Sequence, residues 1–176
     1  MSSLRVMESM NRLLIFLKIV TVLLPVGCTR PRKETAMGAA PDLARATVAL
    51  RSAYAAFNRG DVDAAVEPFD AQIEWTEPAE FPGGGTYHGR EAVKRYLAQS
   101  RCSWAEGSSE PERFITAGNR VVVFVHVRAR SRGSNEWNEV RLADVYTIRD
   151  GQPVEMRAFA DRNEALRWAG VKDPNP

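Results

Sequence analysis

EVRLADVYTIRDGQPVEMRAFADRNEALRWAG, residues 139–170, is the stretch whose reading decides the fold. Alternate positions from 140 to 148 hold Val140, Leu142, Asp144, Tyr146 and Ile148, while the positions between them include Glu139, Arg141, Thr147 and Arg149. A period of two marks a strand with one buried face, so the spacing predicts a strand over 137–149 with Asp144 among apolar neighbours. Asp150 and Gly151 supply a tight turn, and Pro153 to Ala160 returns as a second strand. Asp161 is placed to cap a short helix that carries Ala165, Leu166 and Trp168 and ends at Gly170.

Working back toward the N-terminus, strands are expected over Glu112–Thr116 and Arg120–Arg130, with turns at Gly118–Asn119 and Ser131–Asn135. Ahead of them the period changes. With Asp42 as N-cap, Leu43, Thr47, Leu50, Tyr54 and Phe57 share one helix face. Gly60 ends that helix, and Asp61 caps a second with Val62, Ala65, Val66 and Phe69 turned inward. Ile73 and Trp75 alternate in a strand over Ala71–Glu77, and a third helix over Gly89–Ser100 buries Val93, Tyr96 and Leu97. Between them Pro78, Pro82 and Gly83 to Gly85 read as flexible chain near a pocket mouth. That glycine run lacks the GK[ST] of a phosphate loop. Helices first and antiparallel strands afterwards predict an α+β domain over 42–172, its helices on one face of a curved sheet.

The chain has 176 residues, 44% hydrophobic and 26% charged, which suits one globular domain. A net charge of +2 is far from the basic excess of a nucleic-acid binder. Arg128, Arg130 and Arg132 alternate toward a hairpin tip with no interleaved aromatics, so they read as a solvated sheet edge. Leu13 to Gly27 is a largely apolar run with Lys18 inside it and follows Arg5 and Arg12, which predicts a signal peptide over 1–27. It is shorter than the roughly 20 apolar residues of a membrane span. LPVGC, residues 24–28, resembles a bacterial lipobox with Pro25 where leucine is usual, making Cys28 the expected lipidation site. The alternatives are an ordinary cleaved leader and a start at Met10. Fatty-acid labelling separates a lipoprotein from a soluble export product. Residues 28–41 then form a tether and 173–176 a tail. The expected location is the bacterial cell envelope, with the membrane touched through the lipid alone, or otherwise the periplasm or medium. Removing Arg5, Arg12, Lys18 and Glu8 with the leader leaves a net charge of zero. Cys102 is expected to pack as a small hydrophobe.

Candidate chemistry centres on Asp144. A carboxyl on an apolar face is either kept protonated for a ligand or satisfied within the core, by backbone amides or an arginine such as Arg157. Glu77 continues the face of Ile73 and Trp75, and two inward carboxylates suit a base and an acid; a solvated strand end is the alternative. Tyr54, central on the first helix, needs a hydroxyl partner that Asp144 would provide. Trp75, Phe124 and Met156 are expected to line the cavity walls. His126 lies between Phe124 and Arg128 on one strand face, opposite Val121, Val123, Val125 and Val127, and either face could meet the cavity. His88, in the loop before the third helix, is a further contact candidate. Two histidines without ligand spacing predict no metal, no nucleophile elbow is present, and no cofactor is implied.

YAAFNRGDVDAAVEPF (54–69), IEWTEP (73–78), YHGREAVKRYL (87–97) and ADVYTIRDGQPVEMRAFADRNEAL (143–166) together resemble the nuclear transport factor 2-like superfamily, within it the SnoaL-like polyketide cyclase and ketosteroid isomerase group. The resemblance covers about residues 43–171. It implies a cone-shaped curved antiparallel sheet of the cystatin-like kind, N-terminal helices on its concave face and an apolar cavity between; a homodimer formed through the sheet is a separate expectation. It matches Asp144 to the isomerases' oxyanion-hole acid and Glu77 to their aspartate base. Their helix-one tyrosine aligns without gaps to Ala53, beside Tyr54. Ala160 stands where the isomerases carry an aromatic, and Ala158 where the superfamily's epoxide hydrolases carry an acid. The expected function is therefore an exported domain that binds a small hydrophobic molecule, with isomerase, cyclase or dehydratase-type acid–base chemistry and no cofactor. The alternative is a non-catalytic ligand-binding or interaction module tethered in the envelope, its sheet presented to a second copy or another protein.

Overall fold

A computed structural model describes residues 39–171. The leader, Cys28, the tether as far as residue 38 and the tail lie outside the described residues. The first helix, α1 (Ala39–Asn58), begins ahead of Asp42. Pro41 is tolerated in a first turn, where helix amides have no intrahelical acceptor to lose. Asp42 is therefore not the cap; it lies in that first turn and pairs with Arg45 at 2.9 Å. In α2 (Val62–Val66), Asp61 is the cap, accepting from the Ala64 amide at 3.1 Å.

Two short strands follow, β1 (Glu74–Glu77) and β2 (Gly85–His88), then α3 (Arg90–Ser103). The strand β2 occupies what reads in sequence as loop, because Thr86 and Tyr87 pair with Thr76 and Trp75. Next come β3 (Trp104–Ala117), β4 (Arg120–Ser131), β5 (Trp137–Arg149), β6 (Gln152–Phe159) and α4 (Arg162–Ala169). Asp161 caps α4 through the Glu164 amide at 2.8 Å, and Gly170 closes it in the left-handed region. The sheet order is β2-β1-β6-β5-β4-β3. β1 runs parallel to β6, and the other neighbours are antiparallel. The sheet curves without closing, and β3 is an edge, which accommodates Pro111 at a bulge.

Helices pack on both faces. On the concave face, Leu50, Phe69, Ile73 and Val93 meet Val121, Val123 and Val125 of β4. On the other face α4 lays Ala165, Leu166 and Ala169 over Val122, Phe124, Ala143, Val145 and Phe159. The expectation of helices on one face holds for α1 to α3 but not for α4. The cause is visible in β4 and β5: Val121 to Val125 and Leu142 to Tyr146 are buried without interruption, as in strands covered on both sides. Each fully buried valine contributes about 2 kcal/mol of transfer free energy, so leaving the second face bare would forfeit several such terms. Cys102, expected to be packed, is exposed.

Candidate active site

An apolar cavity of about 870 Å³ opens between α1, α3 and the concave face of the sheet. Its walls include Phe57, Phe69, Trp75, Leu97 and Val127, and three acid–base residues read from the sequence, Tyr54, Glu77 and Asp144, also border it. The period of β5 brings Asp144 there. Its pairing partner on β4 is Val123, also of the concave face, so the carboxyl stands against α1. Tyr54 Oη, from the middle of α1, donates to Asp144 Oδ2 at 2.5 Å. Tyr146, two residues along β5 from Asp144, places its hydroxyl 3.1 Å from that of Tyr54. With the Tyr54 proton given to Asp144, Tyr146 is the donor in that second contact. The result is a hydrogen-bonded line, Tyr146 to Tyr54 to Asp144, buried in the cavity wall.

Burial, and then the charge of Glu77, push the Asp144 carboxyl up to about 7, against the opposing hydrogen bond from Tyr54. Burial raises Glu77 as well, while hydrogen bonding from the Trp75 indole and the Tyr96 hydroxyl pulls it back. Trp75 Nε1 donates to Glu77 Oε1 at 2.8 Å, a contact that follows from residues two apart sharing a strand face. The two phenols of the line and that of Tyr96 are all pushed upward, chiefly by burial, and act as neutral donors. The pair is thus split. The charge of Glu77 favours the protonated form of Asp144, while the Trp75 and Tyr96 donors favour the Glu77 anion, an arrangement that divides two carboxyls into base and acid.

The segment between β1 and β2 closes one side of the cavity and is tied down rather than loose. Phe81 and Gly84 amides donate to Pro78 and Phe81 carbonyls at 3.1 and 2.8 Å. Tyr87 stacks on Tyr96 with ring centres 4.4 Å apart and donates from its hydroxyl to the Gly83 carbonyl at 2.5 Å. Gly83 has φ +78°, and a Cβ there would stand 2.9 Å from the Tyr96 ring, so both backbone and space require glycine.

Of the other contact candidates, Trp75 borders the cavity and four residues do not. Phe124 lies on the opposite face beneath α4, with the Arg162 guanidinium 4.8 Å above its ring. His126 shares that face, its Nε2 2.7 Å from Glu139 and its Nδ1 3.9 Å from Glu112. Met156 is fully buried on the concave face between its pairing partners Trp75 and Tyr146, without bordering the cavity. His88 is exposed at the end of β2, 3.7 Å from Glu74. Arg157 is excluded as the partner of Asp144, because it lies on the α4 face near Phe159 and Trp168. Residues whose place at the cavity was not read from the sequence include Tyr146, Tyr96, Trp104 and Ser109. Tyr146 carried a signal, being in phase with Asp144; the others depend on where α3 and β3 pack. Among the described residues no group of three or more His, Cys, Asp and Glu is arranged to hold a metal ion.

The profile of the family described as SnoaL-like domain matches residues 50–156. A search of curated proteins returned no match. Among solved structures, an NTF2-like protein of unknown function from Burkholderia pseudomallei is 25% identical with a TM-score of 0.60, over 70% of this chain and 95% of that one. TerC, co-crystallised with polyporic acid, is 24% identical with a TM-score of 0.59, over 72% of this chain and 99% of its own. A protein with a ketosteroid isomerase-like fold from Catenulispora acidiphila, in complex with trimethylamine, is 18% identical with a TM-score of 0.58, over 74% and 97%. The last two likenesses speak for the fold alone.

Proposed function

The chain belongs to the SnoaL-like domain family, and from that premise we propose that it binds a small, largely apolar carbonyl compound and moves a proton on it without a cofactor. The observation that supports this reading is the split carboxyl pair, Glu77 and Asp144, on one apolar cavity. The ligand carbonyl takes its hydrogen bond from Asp144. With Tyr54 held on Oδ2, Oδ1 is the oxygen left to carry the proton. Glu77 removes a proton from the carbon beside the carbonyl, the C–H electron pair moves toward the carbonyl oxygen, and the Asp144 hydrogen bond strengthens as charge gathers there. Return of the proton to the same or another carbon gives exchange or isomerisation. In this proposal the domain is exported through residues 1–27 and held at the envelope by Cys28, where it meets apolar molecules.

Acetylbiphenyl in deuterated buffer provides the test, with loss of its methyl proton signal followed by NMR. Exchange above the buffer rate is expected, falling at least ten-fold in Glu77→Gln and in Asp144→Asn. The rate should rise as Glu77 ionises and fall as the pH passes about 7 and Asp144 loses its proton. Binding with no exchange at any pH favours the non-catalytic module instead.

A further inference from the structure

Away from the carboxyl pair, the cavity changes character. Register locates the change: Val123 pairs with Asp144, and Val127, four residues on, pairs with Ser109 of β3. At the usual rise the two sites lie about 13 Å apart along the strands. Beyond Val127 and Val140 the concave face at this end carries Ala129, Ser131 and Asn138, and Trp104 borders the space.

Ser109 is 9% exposed and borders the cavity. Both of its backbone groups are clamped by Asn58 at the end of α1: the Ser109 amide donates to Asn58 Oδ1 at 2.7 Å, and Asn58 Nδ2 donates to the Ser109 carbonyl at 3.1 Å. The side-chain hydroxyl makes no hydrogen bond among the described residues and is not among the sealed-in unpartnered polar atoms, so it stays open to the cavity. A rigidly held, unpaired hydroxyl on a cavity wall is a recognition group waiting for a ligand atom.

We propose that Ser109 anchors a second polar end of the ligand, so that the substrates of this site are elongated apolar carbonyl compounds bearing a hydroxyl at the end remote from the carbonyl. The inference rests on the carbonyl-at-Asp144 reading above and adds the far contact. Two linked aromatic rings with a carbonyl at one end and a hydroxyl at the other span the distance with a hydrogen bond at each end.

The test compares acetylbiphenyl with its analogue hydroxylated at the far para position, by calorimetric titration of the wild type, Ser109→Ala and Ser109→Thr. The wild type is expected to bind the hydroxylated probe about ten-fold more tightly, the effect of one hydrogen bond that fills an unpaired site. Ser109→Ala should lose that preference with its affinity for acetylbiphenyl unchanged, and Ser109→Thr should keep it. No preference in the wild type, a preference that survives in Ser109→Ala, or an equal weakening toward both probes overturns the subsite and leaves the carboxyl site standing. Failure of both probes to bind the wild type overturns the ligand-binding reading together with the subsite.

Discussion

Asp144 shows what a single residue contributes. Its carboxyl has an ordinary value of 3.8 and is pushed to about 7 in the folded protein. Between those values the unfolded chain releases a proton that the native state keeps, so stability is full below about pH 4 and is lost as pH rises to about 7. The whole shift corresponds to about 4 kcal/mol. Asp144→Asn keeps an oxygen for Tyr54 to donate to and removes the charge. Urea unfolding should therefore find the variant more stable than the wild type at pH 8, with the gain about 2–3 kcal/mol larger there than at pH 5. An equal difference at the two pH values would mean that Asp144 ionises like an exposed carboxyl. This residue was legible in the sequence because period two put it in phase with Leu142, Tyr146 and Ile148. Phe124 and His126 were not, because both faces of β4 are apolar and parity cannot say which face meets the helices.

Among the elements, β1 does most for its length. Only four residues long, it pairs with β2 and β6 and so fixes Trp75 and Glu77 on the cavity side. The Trp75 indole N–H favours the Glu77 anion, countering burial. Trp75→Phe keeps the ring and loses that donor, so the Glu77 carboxyl should titrate at higher pH in carbon-13 NMR while Asp144 stays raised. A Glu77 titration unmoved by the substitution would assign the indole to packing. Elements were unevenly legible. β5 and α4 were visible with their ends, since alternation, the Asp150–Gly151 turn and the Asp161 cap are local signals. β2 was hidden by its glycine-rich approach and by having only four residues. β3 was seen in its last third alone, because Gly107, the serines and Pro111 carry no strand preference; pairing along β4 imposes the extended backbone there.

At the scale of the whole molecule, the sheet separates two apolar clusters, and only one of them meets the cavity. Tyr54, Phe69 and Trp75 belong to the concave cluster and border the cavity, whereas Phe124, Phe159 and Leu166 sit on the far side with α4. Stability draws on both clusters and ligand contact on one, so the two properties should come apart under mutation. Leu166 is 3% exposed, and truncating such a leucine costs about 2–5 kcal/mol through lost transfer energy and the cavity left behind. Leu166→Ala should therefore lower the unfolding free energy measured in urea by that amount and, at temperatures where the variant remains folded, leave acetylbiphenyl affinity within two-fold of the wild type. Affinity that falls in step with stability would mean that α4 holds the sheet in the curvature the cavity needs, and that the outer layer belongs to the site as much as the inner one.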